Sequence, residues 1–517
     1  MVALEVVITV VSSSLLGLLF LLALVTIFYK LWWTPNRIQN LMGSQGIKGP
    51  SYKFIYGNTK EISTMKTEAM GRPMGLSHDV SSIIQPHVHL WSNKYGKKYL
   101  QWHGPQPQLI ITESELIKEV LDNKKGAYPK EKATGFVRRL LGNGLVTIES
   151  GEKWTKMRKL ANYAFHGDSL KNMAPAMVSS VDMMLERWKK YEGKEIELLE
   201  EFRLVTSEMI SRTAFGSSYL EGEKIFGMLQ KLFLLTARNT YKLNFSYLGK
   251  FFSSKDDIES EMLEQEIKNC VMEIIKKRED KVTNGEEDSF GSDFLGVLIK
   301  AHHAAEKNHR ISVNDLVDEC KTFYVAGQET TNTLLAWTVF LLAVHTDWQV
   351  EARKEVLDLF GQERLNPDGI SKLKTMSMIL NECMRLYPPV LGFERKVDKK
   401  VRLGDIMLPA NLQIYISSLA LHHDPQIWGQ DVHEFKPERF SEGILRATNN
   451  NTAAFLPFGN GPRICVGTNF AFTEAKIALS MILQRYSFTI SPAYVHSPIQ
   501  LLTLHAQHGI QVILQPL

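Results

Sequence analysis

The sequence predicts a mainly α-helical protein with a minor β portion, in which one large domain follows a single N-terminal transmembrane helix. Three observations predict this class. Apolar residues recur at three- and four-residue spacing through most of the chain, which is the pattern of amphipathic helices. Alternating stretches bounded by glycine and proline, which indicate strands, are short and few. The chain has 517 residues, 44% of them hydrophobic and 22% charged, so it can bury a large core and is too ordinary in composition to be disordered.

Charge and cysteine usage argue against several classes of protein. Lysine and arginine number 60 against 56 aspartates and glutamates, which is a formal net charge of +4. This small surplus falls short of the basic surface of a dedicated nucleic-acid binder, so no nucleic-acid partner is expected. The four cysteines lie far apart, with no C-x-x-C among them: Cys270, Cys320, Cys383 and Cys465. A zinc ribbon and a secreted disulfide framework are therefore not expected.

Residues 6–29 form a run of 24 residues without a formal charge. As a helix this run would be about 36 Å long, enough to cross a hydrocarbon core of about 30 Å. A cleaved signal peptide is the alternative, but it has a shorter apolar stretch behind a basic leader, and here only Glu5 precedes the run. We expect an uncleaved anchor at 6–29, between a short lumenal N-terminus, 1–5, and a linker, 30–52, with the large domain at 53–517.

Positive charge follows the apolar run and none precedes it: Lys30, Arg37, Lys48 and Lys53. Because basic flanks stay in the cytosol, the large domain is expected to face the cytosol from a single-pass anchor. The domain then lies in a reducing compartment, which agrees with cysteines that show no pairing pattern.

The secondary structure of the large domain follows from periodicity. Alternation predicts strands and hairpins in residues 99–112 and 401–416. Helical spacing predicts helices in five further stretches: 116–121, 154–165, 173–191, 200–213 and 259–277. The charged stretch 276–292 could mark a boundary between two domains or a surface loop within one domain. Apolar periodicity resumes directly after it, which favours the surface loop.

The longest predicted helix begins at Ser312, where Ser312 and Asp315 form a capping box, and runs to about His345, roughly 50 Å. Its second half is largely apolar, which a second membrane span would also explain. Polar residues at 328–332 interrupt that stretch, however, and an ionisable side chain in lipid costs a few kcal/mol. We therefore predict a buried core helix with a polar notch. The notch needs a functional reason, because Glu329 must be paired, protonated or hydrated.

The last cysteine lies in a glycine-rich loop, F-G-N-G-P-R-I-C-V-G at 458–467, directly before a helical run. This places Cys465 at the positive end of a helix, where a thiolate is stabilised, and indicates a metal ligand or a nucleophile. The loop lacks the usual contexts of nucleophilic cysteines. Its glycines let backbone amides approach a metal-bound sulfur, and Arg463 can pair with a cofactor carboxylate. Haem supplies both a metal and carboxylates.

This loop resembles the haem-ligand loop F-x-x-G-x-R-x-C-x-G of the cytochrome P-450 family, and the resemblance extends over nearly the whole chain. It implies the cytochrome P-450 fold, with Cys465 as the proximal iron ligand, which donates electrons to favour O–O bond cleavage. It also implies that Arg463 is a partner of a haem propionate and that Phe458 packs over the thiolate side. Gly459 belongs to the same cofactor-binding loop.

Two further motifs resemble family elements that lock the haem-binding core. Glu382 and Arg385 match the E-x-x-R motif, which puts both side chains on one face of a helix that ends before Pro388. The segment 435–440 resembles the P-E-R-F segment, whose arginine, here Arg439, joins the Glu382–Arg385 pair. The resemblance implies a structural role for all three charged residues.

The segment 326–331, A-G-Q-E-T-T, resembles the oxygen-activation segment of the family's long central helix. It implies that the Thr330 hydroxyl bonds back to the Ala326 carbonyl and that Gly327 leaves space for dioxygen. It also implies that Glu329 feeds protons to reduced oxygen, so Glu329 and Thr330 are the expected catalytic residues. Ala326 is expected to lie against the cofactor.

Three more residues resemble the family's partners of the haem propionates. Trp154 and Arg158 match W-x-x-x-R, in which the two side chains share a helix face. Arg395 resembles the family arginine that reaches a propionate from a strand. Without the resemblance, a core tryptophan and a surface arginine would be the simpler interpretation of 154 and 158.

Taken over the whole chain, the resemblance implies haem b as cofactor, O2 as co-substrate and hydroxylation of a lipophilic small molecule of terpenoid, steroid-like hormone or fatty-acid-like type. Electrons would come from NADPH through NADPH-cytochrome P-450 reductase, since the chain has no dinucleotide-binding motif of its own. The sequence looks most like plant microsomal members, from the clan that includes brassinosteroid-, gibberellin- and cytokinin-oxidising enzymes. This likeness implies the endoplasmic reticulum membrane.

Two other functions stay open. A haem-thiolate isomerase or dehydratase would rearrange its substrate without external oxygen. A haem-binding sensor or carrier would use the thiolate site without turnover. Neither needs an acid–alcohol pair, so the presence of Glu329 and Thr330 favours monooxygenation.

Substrate specificity is expected to lie in two segments over the distal face of the haem, 128–146 and 220–252. Phe136, Phe233 and Val325 are candidate wall residues, although an apolar side chain at such a position is more often plain core. These segments carry no readable code for a ligand, so the sequence leaves the substrate and the site of oxidation open.

Overall fold

The computed structural model describes residues 2–72, 74–124, 126–217, 219–240, 254–306 and 310–517. Over these ranges the protein is mainly helical, as predicted. Its α-helices, in chain order, are α1 Val2–Phe28, α2 Thr34–Gly43, α3 Thr59–Met70, α4 Ser81–Ile84, α5 Pro86–Tyr95, α6 Ser114–Asp122, α7 Gly135–Leu141, α8 Glu152–Ala164, α9 Asp168–Trp188, α10 Leu198–Ala214, α11 Tyr219–Asn239, α12 Lys255–Thr283, α13 Phe294–His302, α14 Val313–Val344, α15 Thr346–Phe360, α16 Pro367–Lys372, α17 Lys374–Leu386, α18 Ser418–His422, α19 Pro425–Trp428, α20 Ile444–Ala447 and α21 Thr468–Arg485. The five stretches expected to be helical from their periodicity lie in α6, α8, α9 with the turn after it, α10 and α12.

Short strands form small sheets. In chain order they are β1 Lys98–His103, β2 Gln106–Ile111, β3 Glu195–Glu197, β4 Gly392–Lys396, β5 Val401–Leu403, β6 Ile406–Leu408, β7 Gln413–Ser417, β8 Tyr486–Ile490, β9 Pro498–Gln500, β10 Leu504–Ala506 and β11 Gln511–Pro516. The four-stranded sheet has the order β1-β2-β7-β4, with β2 and β7 parallel and the other pairs antiparallel. Both stretches predicted from alternation contribute strands to it. β9 and β10 form a separate antiparallel hairpin near the C-terminus.

The N-terminal apolar segment is helical and exposed. α1 continues through a π-helical turn, Tyr29–Trp33, into α2, so the first part of the expected linker at 30–52 is helical as far as Gly43. Leu16 and Phe20 on α1 are each 67% exposed. The part of the chain that the structure describes has one helix, Leu4–Gly43, that is long and apolar enough to cross a membrane, which fits a single-pass membrane anchor.

The long central helix is α14, which has 32 residues and a length of about 48 Å. The predicted capping box forms. The Ser312 hydroxyl accepts a hydrogen bond from the Asp315 N–H, and the Asp315 carboxylate accepts one from the Ser312 N–H, each at 3.1 Å. Trp337 and Leu341 in the apolar second half are 0% exposed, and α10, α17 and α21 pack against the helix. α14 is therefore a core helix, and the alternative of a second membrane span is wrong.

The charged stretch 276–292 consists of the end of α12 and a surface loop, as predicted. α13 begins directly after the loop, and its Phe294 ring lies 4.2 Å from the Phe323 ring of α14, centroid to centroid. Ile275 of α12 and Phe294 of α13 belong to the same hydrophobic core. The loop thus connects two parts of one core.

A buried carboxyl on α14 makes stability depend on pH. Glu319 is 1% exposed, and desolvation raises the pKa of its carboxyl from 4.5 to about 8, although the Leu145 backbone N–H lowers it. The folded-state pKa therefore lies above the unfolded one, so the stability that this group contributes is fully present below pH 4.5 and is lost as the pH rises towards 8. The loss by pH 7 is about 3 kcal/mol.

Replacing Glu319 by glutamine removes this titration. We expect Glu319→Gln to raise the melting temperature at pH 7–8 and to leave it nearly unchanged near pH 4.5, as followed by thermal unfolding across that range. Glu266, which is exposed on α12, gives the control variant Glu266→Gln. A Glu319→Gln protein no more stable than the native protein at pH 8 would show that the carboxyl is not held neutral.

Candidate functional site

Cys465 lies in the loop 458–467, which leads into α21. Its N–H donates to the Phe458 carbonyl over 2.9 Å, which closes the loop, and its carbonyl accepts from the Thr468 hydroxyl at 3.1 Å. Because α21 begins at Thr468, the cysteine stands just before a helix N-terminus, as the sequence predicts. Phe458 packs on Phe472 of α21 with ring centroids 5.8 Å apart. The loop and the helix together hold the sulfur in place.

Two glycines give this loop its path. Gly459 and Gly461 have φ angles of +77° and +70°, in the left-handed region that favours glycine. A Cβ at Gly461 would lie 2.6 Å from the Leu121 carbonyl oxygen of α6. A Cβ at Gly459 would lie 3.5 Å from the Phe393 ring, which is an ordinary contact. Gly461 is therefore required both for its backbone angle and for the close approach of the loop to α6.

The Cys465 side chain is accessible, but protein surrounds it. Desolvation raises the pKa of its thiol, whereas the Gly467 backbone N–H, the Arg158 guanidinium and the Thr468 hydroxyl lower it. Desolvation is the largest of these effects, so the pKa of the thiol lies above its ordinary value. The sequence suggested that the helix N-terminus stabilises the thiolate, but in the structure this effect alone is not enough. A bound metal cation would have to supply the remaining stabilisation of the thiolate.

Two neighbouring arginines belong to this site, one within the loop and one on β4. Arg463 donates to the backbone carbonyls of residues 148, at 2.9 Å, and 149, and its guanidinium lies 4.8 Å from the centroid of the Trp154 ring on α8. Arg395 on β4 is 4% exposed. Desolvation lowers the pKa of each guanidinium to about 10, and the charge of Arg395 contributes to the shift of Arg463. The two cations are therefore close neighbours.

Lys130 is a third cation of this group. Its Nζ donates to the Val146 carbonyl at 2.6 Å. Its pKa falls to about 7, mainly through desolvation and then through the charges of Arg395 and Arg463. Lys130 is not predictable from the sequence as a member of the site, because a single lysine in a loop has no motif or periodicity that tells what it faces.

Arg158 adds a fourth cation on the side of the sulfur. It lies one turn after Trp154 on α8, and its guanidinium donates to the Ile464 carbonyl next to Cys465. Desolvation lowers the pKa of Arg158, while the Cys465 charge raises it. The W-x-x-x-R pair thus contacts the cysteine loop, Arg158 through the Ile464 carbonyl and Trp154 through Arg463, whereas its expected role at a haem propionate stays a prediction.

The chemistry of this donor set fits haem. The charges of Arg395 and Arg463 lower the pKa of Lys130, and the charge of Arg395 lowers that of Arg463, so a dianion bound among them would be stabilised by charge-assisted hydrogen bonds. The two propionates of haem are such a dianion, and its iron takes a thiolate such as that of Cys465.

The polar notch of α14 forms as predicted around Thr330. Its hydroxyl donates to the Ala326 carbonyl at 2.7 Å, and both residues are half-buried.

Gly327, which was expected to leave space for dioxygen, has different surroundings. A Cβ there would lie 2.7 Å from Cδ1 of Ile210 on α10. The glycine therefore serves the close packing of α14 on α10 instead of leaving space for dioxygen.

Glu329 is 9% exposed and is paired. Its Oε1 lies 2.5 Å from Nε2 of His505 on β10, and the same oxygen accepts the Thr503 hydroxyl at 3.3 Å. A buried carboxyl must be paired, protonated or hydrated, and in the structure Glu329 is paired. The partner could not be predicted, because His505 lies 176 residues further along the chain and belongs to no motif.

The predicted charge lock forms in the core. Arg385 donates to Glu382 through Nε at 2.7 Å and through Nη2 at 2.8 Å, and both side chains are 0% exposed. Arg385 also donates to the backbone carbonyls of residues 422, 432 and 434. Arg439 Nε lies 3.4 Å from Glu382 Oε1, while its Nη2 lies 2.9 Å from Asp431. Arg439 thus joins the pair, but shares its charge with Asp431.

The candidate wall residues have different surroundings. Phe136 on α7 and Phe233 on α11 are both buried, whereas Val325 on α14 is half-buried. Within the specificity segment 220–252, residues 241–252 lie outside the described residues.

Haem combines an iron atom, which takes a sulfur ligand, with two carboxylates, which suit a group of cations. This fold and site therefore define the haem-thiolate class of oxidoreductases. Comparison with known proteins narrows the class to a family. The family profile described as Cytochrome P-450 matches residues 73–512. The chain belongs to the cytochrome P-450 family. It is a monooxygenase of the haem- and O2-dependent kind.

Plant proteins of this family are similar over nearly the full length. The chain is 56% identical to cytochrome P-450 CYP749A22 of Panax ginseng over 489 residues, which are 94% of this chain and 93% of that protein. It is 40% identical to 11-oxo-beta-amyrin 30-oxidase of Medicago truncatula in an alignment of 525 positions, gaps included, that covers 98% of each chain. It is 38% identical to cytochrome P-450 734A1 of Arabidopsis thaliana over 491 residues, 93% of this chain and 92% of that protein. These similarities confirm the resemblance to plant members.

Proposed function

We propose that the protein is a membrane-anchored haem-thiolate monooxygenase that inserts one oxygen atom from O2 into a terpenoid-like substrate. One observation carries the proposal: a single domain combines a cysteine next to Arg158 and a nearby group of three cations with an acid–alcohol pair, Glu329 and Thr330, in the middle of a buried helix. The first group suits the cofactor, and the second suits the delivery of protons to reduced oxygen.

In this proposal Cys465 is the iron ligand and the neighbouring cations hold the propionates. Lys130, Arg395 and Arg463 would hold them through charge-assisted hydrogen bonds, which are stronger than neutral ones. Trp154 keeps the Arg463 guanidinium in position through a cation–π contact. Haem, when bound, supplies the activation of O2 at its iron.

The remaining residues shape the two sides of the cofactor. Phe458 and Gly459 form the sulfur side, and Ala326 forms part of the wall on α14. Thr330 holds its hydroxyl against the Ala326 carbonyl and can turn its proton towards a reduced oxygen species. Glu329 then replaces that proton, as a general acid acting through hydroxyl or water.

Electrons come, in this proposal, from NADPH through NADPH-cytochrome P-450 reductase in the same membrane. Residues 6–29 are the anchor, 1–5 lie in the lumen, 30–52 connect, and 53–517 form the haem domain. The absence of positive charge before the anchor and its presence after it support a cytosolic haem domain on the endoplasmic reticulum.

The proposed substrate class rests on the relatives. One of them is named as an oxidase of 11-oxo-beta-amyrin, a terpenoid. A lipophilic substrate of this kind partitions into the bilayer, and an anchored enzyme meets it there.

Turnover in isotopically labelled oxygen tests the proposal. Yeast microsomes that contain the full chain and a plant NADPH-cytochrome P-450 reductase are given a panel of terpenoids, NADPH and ¹⁸O2. We expect at least one product that carries a single ¹⁸O atom and that depends on NADPH. A rearranged product without ¹⁸O would contradict monooxygenation and support an isomerase or dehydratase. Labelled products only from steroids or fatty acids, added to the same panel, would overturn the terpenoid class.

A further inference from the structure

We infer that His505 is a positioning residue of the proton-delivery path, which holds the Glu329 carboxylate and returns protons to it from water. This inference rests on the proposed monooxygenase function and deepens it at the acid–alcohol pair. No motif of the chain assigns a role to this histidine.

The contact between the two side chains is short and lies at the edge of the interior. Nε2 of His505 is 2.5 Å from Oε1 of Glu329, and the side chains are 17% and 12% exposed. When Glu329 is ionised, its oxygen accepts and the Nε2–H of His505 donates. The imidazole keeps more accessible surface than the carboxylate it touches, so we take the imidazole as the point at which water reaches this pair.

The hairpin that carries His505 is held in place. β10 pairs with β9, and the Leu504 N–H donates to the Pro389 carbonyl at 3.1 Å. Leu504 itself is 0% exposed. The Phe233 ring of α11 also lies near the imidazole, 5.8 Å away, centroid to centroid. The ring is therefore confined between α11 and α14, and it is preorganised against Glu329.

The reaction needs such a supply of protons. Monooxygenation balances as RH + O2 + NADPH + H⁺ → ROH + H2O + NADP⁺, with the electron pair delivered by the reductase. After Glu329 gives up its proton towards Thr330, it remains as a carboxylate next to His505. His505 in its protonated form then passes its Nε2 proton to Oε1, and the neutral ring takes up a new proton from hydronium or buffer in bulk water, which is the H⁺ consumed in the overall equation. The Thr503 hydroxyl donates to the same oxygen but is too weak an acid to supply the proton.

The test compares His505→Gln with a matched control, His508→Gln, in the full-length haem-loaded protein with its reductase. Glutamine keeps an N–H donor close to the position of Nε2 but, unlike imidazole, does not act as an acid or a base near neutral pH. His508 is exposed in the turn after β10. We expect both variants to keep the native haem content and the native spectrum with carbon monoxide. In His505→Gln the product formed per NADPH should fall about tenfold, with hydrogen peroxide in its place, because general acid catalysis is lost.

A second readout does not depend on turnover. In protein labelled with ¹⁵N in its histidine side chains, Glu329→Gln should shift the His505 Nε2 signal and leave that of His508 unchanged. If the native enzyme turns over and His505→Gln remains fully coupled, or if Glu329→Gln leaves the His505 signal in place, the inference is overturned and the proposed function stands. A folded, haem-loaded native protein that consumes NADPH without oxygenating any substrate would overturn the proposed function, and the inference with it.

Discussion

Arg385→Ala is expected to abolish the recovery of folded, haem-containing protein. The substitution leaves the Glu382 carboxylate at 0% exposure without its bidentate partner, and it removes the donor to three backbone carbonyls. Breaking a buried pair in this way costs about 3–5 kcal/mol, a large part of the stability of an ordinary domain. The measurement is the yield of protein with bound haem, from the absorbance of purified membranes or detergent extracts, together with the melting temperature.

The chain contains a matched control for this experiment. Arg446 and Glu442 also form an arginine–glutamate pair, at 3.9 Å, but their side chains are 72% and 76% exposed. Exposed pairs contribute about 0–1 kcal/mol, so Arg446→Ala should leave the yield and the melting temperature nearly unchanged. Normal haem occupancy in Arg385→Ala would refute the structural role of the lock.

Thr330→Ala is expected to keep the haem and to lose most of the coupling between NADPH consumption and product. The variant removes the hydroxyl that is held 2.7 Å from the Ala326 carbonyl in the notch of α14. Proton delivery by a positioned group contributes about 10²–10⁴-fold in rate, so we expect product per NADPH to fall at least about tenfold and hydrogen peroxide to rise. Parallel assays of NADPH, product and peroxide in the reconstituted membrane system measure this ratio.

Thr338→Ala separates this chemistry from an effect on the helix. Thr338 makes the same back-bond, to the Leu334 carbonyl at 2.7 Å, two turns further along α14 and in the fully buried core. Its loss should lower stability slightly and leave the coupling at the native value. Unchanged coupling in Thr330→Ala, or equal uncoupling in both variants, would argue against a proton-delivering hydroxyl at 330.

The parts of the fold that could be predicted from the sequence are those set by local rules. The Ser312–Asp315 capping box and the helical periodicity fix where helices begin and which face is buried, and both are properties of a few neighbouring residues. The groups around Cys465 were identifiable because the resemblance assigns them through motifs, and the structure brings Trp154, Arg158 and Arg463 to one loop.

Contacts between distant segments could not be predicted. Lys130 and His505 reach their partners across long stretches of chain and belong to no motif, so only the folded structure reveals them. The resemblance implies that Gly327 leaves space for dioxygen, whereas the structure relates the glycine to the close packing of α10 against α14. In each case the residue that makes the contact, such as Ile210 for Gly327, lies far away along the chain.

The difference spectrum of the reduced protein with carbon monoxide tests most directly the central claim that Cys465 is a thiolate ligand of haem iron. It is recorded for the full-length native protein, for Cys465→Ser, and for Cys270→Ser as a control at a half-buried cysteine. We predict a strongly red-shifted Soret band in the native protein and in Cys270→Ser, and no such band in a folded Cys465→Ser. A band that persists in Cys465→Ser, or its absence from well-folded native protein that binds haem, would contradict the claim.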